Sequence, residues 1–356
     1  LISIHQTPDS LPTPQTRGLE WIAEWERHDA TWIAWPHNLA TWPNLFERIP
    51  PVFERLINIL AEVEHVHLLG GPPAAHLAAQ SVFEDHPNVT VHRVSTSDCW
   101  IRDYGPTFLV DRAAQTLAGI DWTFNAWGNK YHNYENDIAG AKRMCNILRC
   151  ERISSPLVCE GGAMETDGAG TVMITPESFH TGSRNPGLSR LQIEEHLKLM
   201  LSARKVIWVE GGSLAGDDTD SHIDQLARFV APGKVVVAMS ANADVVNAEA
   251  LKRQRQCLSE STDADGRTLE IIELLTPPAR FVQGERVPES YCNFYLANEI
   301  VVVPRFGHRK SDERAASILQ EQFPDRTIET LDTSDMIWGL GAIHCATQQQ
   351  PAVPRA

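Results

Sequence analysis

No apolar run in this sequence reaches the roughly 18 residues that a membrane helix needs, so a transmembrane span is not expected. Residues 1–16 hold neither a basic stretch nor an apolar core. They are expected to be a loose Pro- and Thr-rich lead-in rather than a signal peptide. The chain opens on Leu1 rather than Met, which leaves open whether residues precede it. Cysteine is sparse: 7 in 356 residues, without disulfide-like rhythm, pointing away from a stapled secreted scaffold and toward a reducing cytoplasm. Basic residues are outnumbered, 31 against 46 acidic ones, and a net charge of −15 excludes nucleic acid as the main partner. An acidic surface suits a small cationic ligand, although it also serves solubility alone. Paired CxxC, HExxH, a phosphate loop and a G-x-S-x-G elbow are all missing. Asp217, Asp218 and Asp220 lack the ligand spacing of a calcium loop. Neither a metal nor an organic cofactor is expected.

What is present is a recurring pattern. Apolar periodicity predicts helices over 51–63, 134–149, 189–201 and 312–323, the third opening on a capping box between Ser189 and Gln192. Four stretches carry polar residues into a β-branched run: 101–110, 160–175, 221–239 and 291–304. Residues 31–36 and 339–347 read as partial copies. Tight reversals are expected at Asp167-Gly168, Pro232-Gly233 and Ala297-Asn298, and further strands over 89–94 and 205–209. Units of roughly 50–70 residues, each strand–strand–helix–strand, suggest about five copies around one axis that share a core. The competing description is an ordinary mixed α/β sheet. On either, no linker divides the chain, so one domain over 17–356 is expected.

If the signature segments face a common centre, their polar residues converge. Cys345 stands in "GLGAIHCATQQQP", behind glycines and before a polar run, which suits a nucleophile as well as an inert core thiol. Its neighbour His344 would point to the opposite face of a strand and so is a poor base. His222 and Asp224, two apart, would share a strand face, joining a proton shuttle to an anionic group; a surface acidic loop is the alternative. Asp103, near Trp100 in "DCWIRDYGP", pairs a carboxylate with an aromatic, as a planar cation would require, or is a plain ion pair with Arg102. Glu160 precedes two glycines, where backbone approaches closely, or is a turn glutamate.

In order and spacing, "WIRDYGPTF", "EGGAMETDGAGT", "SRNPGLSRLQIEEHLK", "DDTDSHIDQLARF", "SYCNFYLAN" and "IHCATQQ" resemble the agmatine deiminase family of the pentein, guanidine-modifying superfamily. The resemblance runs from residue 24 to 351. It implies a five-fold pseudosymmetric α/β propeller and hydrolysis of agmatine to N-carbamoylputrescine and ammonia, in putrescine formation. It further implies Cys345 as nucleophile, His222 as general acid and base, and Asp103 and Asp224 as the carboxylates that hold the guanidinium. Glu160 becomes the partner that orients and charges His222, with Trp100 in the substrate pocket. Two departures stand out: "GLGAIHC" replaces the usual "GGGNIHC", and Ser221 stands where Gly usually precedes the histidine. The 277–291 segment is also shorter than in many relatives. The alternatives are a deiminase of free or peptidyl arginine, and a non-catalytic cation-binding propeller. The oligomeric state stays open, a homo-oligomer included.

Overall fold

The computed structural model describes residues 13–240 and 244–353. Residues 1–12 of the expected lead-in lie outside them, and Gln15–Arg17 form a single 3-10 turn. The β-branched runs become buried strands: Val235–Val237 and Val301–Val303 are 0% exposed. Covered on both faces, such strands need no polar alternation.

Among the described residues, five strand groups follow one plan: the first strand pairs antiparallel with the second, and the second parallel with the third. They are Thr107–Asp111, Thr116–Thr123 and Glu151–Val158; then Met164–Thr166, Thr171–Ile174 and Lys205–Trp208. Ala227–Ala231, Lys234–Met239 and Glu270–Leu275 follow, then Tyr295–Ala297, Ile300–Arg305 and Thr327–Asp332. The fifth joins the two ends of the chain: Thr347–Pro351 pairs with His28–Ala34, which pairs with His65–Leu69, with Val89–His92 added at the edge. A parallel return needs a crossover. Helices supply it: Ile49–Ala61, Gly140–Leu148, Arg190–Leu201, Val245–Ser259 and Arg309–Gln322. Among the described residues no helix is long and apolar enough to cross a membrane.

The expected elements hold with shifted ends. Ser189 and Gln192 form the capping box. The helix expected over 51–63 begins at Ile49, because Pro50 and Pro51 fit a first turn whose N–H groups need no partner. The stretch 134–149 is two helices, Glu135–Ile138 and Gly140–Leu148. A Cβ at Gly140 would lie 2.5 Å from the Tyr104 ring, so the chain bends to pass close by. The reversal expected at Ala297-Asn298 lies one residue later, with Glu299 at φ 64. The polar signatures also sit off their strands. Ile101–Tyr104, Gly161–Ala163, Ile223–Gln225 and Tyr291–Asn293 are single helical turns, each just before a first strand, and residues 343–346 form a matching turn.

Candidate active site

Each of these turns is bound to the next. Gly162 donates its N–H to Asp103 Oδ1 at 3.0 Å, and Glu160 Oε2 stands 3.7 Å from His222 Nε2. Ser290 Oγ donates to the Gln225 carbonyl at 2.6 Å. His344 donates its backbone N–H to the Asn293 carbonyl at 3.2 Å, and Arg102 its own to the Cys345 carbonyl at 3.3 Å, which returns to the starting turn. Cys345, His222, Asp103, Asp224 and Glu160, distant in sequence, are thereby brought together and buried. One expectation is corrected here. His222 caps the Ile223–Gln225 turn, so it and Asp224 do not share a strand face; a helical turn swings both to one side.

The convergence is tight. A Cβ at Gly162 would lie 2.7 Å from His222 Nδ1, 2.8 Å from Asp103 Oδ1 and 3.0 Å from Asp224 Oδ2, so only glycine fits beneath them. Cys345 Sγ stands 3.6 Å from Asp224 Oδ2 and accepts the Asn293 Nδ2–H at 3.2 Å. Trp127 Nε1–H fixes the other oxygen of Asp103 at 2.8 Å. Among the described residues, Asp224 Oδ1 and both ring nitrogens of His222 have no hydrogen-bond partner. Buried polar atoms left so call for a specific explanation, and a catalytic role is one. A cavity of about 440 Å³ opens onto Asp103 and Cys345, walled by Trp100 and Trp127. That is room for a small molecule.

Burial alone would lower the His222 pKa, but Asp103, Glu160 and Asp224 outweigh it and carry the imidazole up to about 9. Burial lifts Asp103 to about 6, with Asp224 and Glu160 adding to the rise and His222 and Trp127 opposing it. Asp224 and Glu160 stay below the ordinary carboxylate range despite burial, the first through His344, the second through His222 and Arg184. Burial, with Asp224 and Asp103, pushes the Cys345 thiol well up. The site is a cage with carboxylates on two sides, a protonated imidazole and an un-ionised thiol. Its chemistry suits a planar cation.

Several residues here were not singled out from sequence. Asn293 touches Cys345, and Trp127 touches Asp103 from a turn whose φ is 55. Arg184, 0% exposed, donates through Nε to Glu160 Oε1 at 2.9 Å and through Nη1 to Asp220 Oδ2 at 2.5 Å. Its only signal was its place in the "SRNPG" turn. Arg102 bonds to Gln349 and Glu24 and does not pair with Asp103, so the plain ion pair does not form. Arg228 is buried against Glu24 and Glu165, both at 2.9 Å. Among the described residues, the arginine on the cavity wall is Arg286 of the Phe281–Arg286 hairpin, held by Asp244, with Asp98, Asp137, Asp218 and Glu285 also on the wall. Both departures fall on left-handed backbone that favours glycine, Leu340 and Ser221 each at φ 67, and nothing in the structure explains the residues found there. Gly339 and Gly341 keep their place because a Cβ there would meet the Trp100 ring at 2.9 and 2.6 Å.

The family model for Porphyromonas-type peptidyl-arginine deiminase matches residues 20–351. Agmatine deiminase of Medicago truncatula is 35% identical over 371 residues, covering 96% of this chain and 98% of that protein. Agmatine deiminase of Stutzerimonas stutzeri is 34% identical over 363 residues, covering 96% and 97%. The solved structure of agmatine deiminase of Enterococcus faecalis superposes with a TM-score of 0.90 at 29% identity, covering 97% of this chain and 99% of that one. With a mixed α/β fold shared over nearly its whole length and a family match across the same span, this chain belongs to the Porphyromonas-type peptidyl-arginine deiminase family, in its agmatine deiminase branch.

Proposed function

We propose that this chain hydrolyses agmatine to N-carbamoylputrescine and ammonia through a covalent adduct on Cys345. The observation that carries it is the meeting of Asp103, Asp224 and His222 over Gly162, beside the Cys345 sulfur. A guanidinium carbon is a poor electrophile until carboxylates hold its nitrogens, and in this reading Asp103 and Asp224 do so. Entry of that cation also offsets the negative charge that keeps the Cys345 thiol protonated, so the thiol gives its proton to solvent and becomes a thiolate only with substrate in place. Asn293 N–H supports it. The sulfur attacks the guanidinium carbon, and His222, entering protonated, gives its proton to the departing ammonia. A thiouronium remains. Neutral His222 then takes a proton from water as the water adds to the same carbon, and collapse releases the neutral ureido product as the adduct's hydroxyl proton passes to the departing sulfur and restores the thiol. Glu160, backed by Arg184, keeps His222 charged and oriented. No step calls for a metal or an organic cofactor.

We further read the five strand groups as a five-fold α/β propeller, one catalytic domain over 17–356, on the strength of the closed series of turn-to-turn bonds.

Substrate choice follows from charge. Arginine's carboxylate needs a cation at the mouth, and Arg286 is already held by Asp244 among acidic wall residues. A net charge of −15 favours a dication. Agmatine should exceed free arginine by at least about 10²-fold in kcat/KM, with an arginine-containing peptide slower still. Assaying the three side by side for ureido product tests this. Comparable rates on arginine or the peptide would overturn the substrate choice and leave the chemistry standing.

A further inference from the structure

Directly behind the Cys345 turn lies a buried group that none of the above uses. His344, 1% exposed, places Nδ1 2.8 Å from Asp224 Oδ2 and Nε2 2.9 Å from Glu24 Oε2. We infer that His344 is a positioning residue, an imidazolium donating to both carboxylates, which fixes the orientation of the Asp224 carboxylate by holding its Oδ2.

Both partners are acceptors when ionised, and a neutral imidazole has only one N–H. A lone pair turned to a carboxylate at 2.9 Å, away from water, would repel it. The extra proton therefore belongs to one of the three groups. Glu24 is a poor home, since Arg228 Nη2 lies 2.9 Å from its Oε1 and Arg102 Nη2 3.4 Å from its Oε2. Asp224 is a poor home too, facing His222. Burial, Arg102 and Arg228 hold the His344 pKa below the ordinary imidazole value, with Glu24 and Asp224 opposing them, so the imidazolium stands on the geometry of its two acceptors. Position decides in favour of the carboxylates, because neither ring nitrogen has any other partner among the described residues. The consequence is local. His344 takes Asp224 Oδ2, the oxygen 3.6 Å from Cys345 Sγ, and leaves the buried Oδ1 free for a substrate N–H.

This inference rests on the deimination reading in its kinetic arm only. His344–Cys345 is the chain's one His-Cys pair, so pairwise isotope labelling assigns its ring nitrogens in the intact protein. Nitrogen-15 spectra at neutral pH should show both as N–H. A neutral tautomer overturns the inference, and this arm needs no variant to fold. In the second arm, the Gln of His344→Gln donates to one carboxylate only. KM for agmatine should rise about 10-fold or more, with Tm near that of the wild type and the basic limb set by His222 unmoved. An unchanged KM overturns the positioning role. If the wild type makes no ureido product from agmatine, the deimination reading fails while the spectrum still judges His344.

Discussion

At Cys345 the decisive quantity is where the thiol keeps its proton. Burial and two carboxylates hold it protonated until a cation arrives, so reactivity should depend on the charge of the reagent. A haloacetamidine should label Cys345 ahead of the more exposed Cys150 and Cys257, whereas neutral iodoacetamide should favour those two. Mass mapping that finds the amidine mainly on any other cysteine removes Cys345 from the centre. The carboxylates make a second prediction. A desolvated carboxylate–guanidinium pair is worth about 2–5 kcal/mol, so Asp103→Asn and Asp224→Asn should each lower kcat/KM by about 10²-fold or more. Near-normal activity in either variant excludes that residue. The pH profile supplies a third. Asp103 must be ionised to hold the cation, so kcat/KM should fall as pH drops through about 6. His222 must be protonated to release ammonia, so it should fall again as pH rises through about 9. A profile whose acidic limb survives Asp103→Asn would assign that limb elsewhere.

Among the elements, the single helical turns before each first strand hold the candidate site residues, and Gly162 sits where His222, Asp103 and Asp224 meet. Its φ lies outside the left-handed region, so alanine is conformationally allowed there. Its methyl would nonetheless stand within 3.0 Å of His222, Asp103 and Asp224. Gly162→Ala should therefore keep a folded protein while lowering kcat/KM by about 10²-fold or more. Wild-type kinetics in that variant would mean the three groups have slack that the geometry denies. The same turns show what sequence could and could not convey. The recurring hairpins were legible because β-branched runs and turn residues are local signals. So were Cys345, His222, Asp103, Asp224 and Glu160, through their motifs and order. Period-2 reasoning misplaced them on strands, since a turn of three or four residues is too short to show its own periodicity. Asn293, Arg184, Trp127 and Glu24 stayed hidden because their roles arise only where distant turns touch. His344 was set aside as facing away from Cys345. Both residues stand in a turn rather than on a strand, and both side chains reach the same oxygen of Asp224.

For the whole molecule, the ends of the chain close the architecture: Thr347–Pro351 pairs with His28–Ala34, placing Cys345 at the seam. Fold and site are thus coupled, since the cavity opens onto Asp103 and Cys345 from two neighbouring turns. The central claim is that agmatine, bound there, becomes covalently attached to Cys345. Rapid acid quenching of the enzyme during turnover, followed by intact-mass and peptide mass spectrometry, tests it most directly. The account predicts an adduct of agmatine less ammonia, confined to the peptide containing Cys345 and absent from Cys345→Ser, which should be folded and inactive. Steady release of N-carbamoylputrescine from Cys345→Ser, or an adduct on another cysteine, would contradict it.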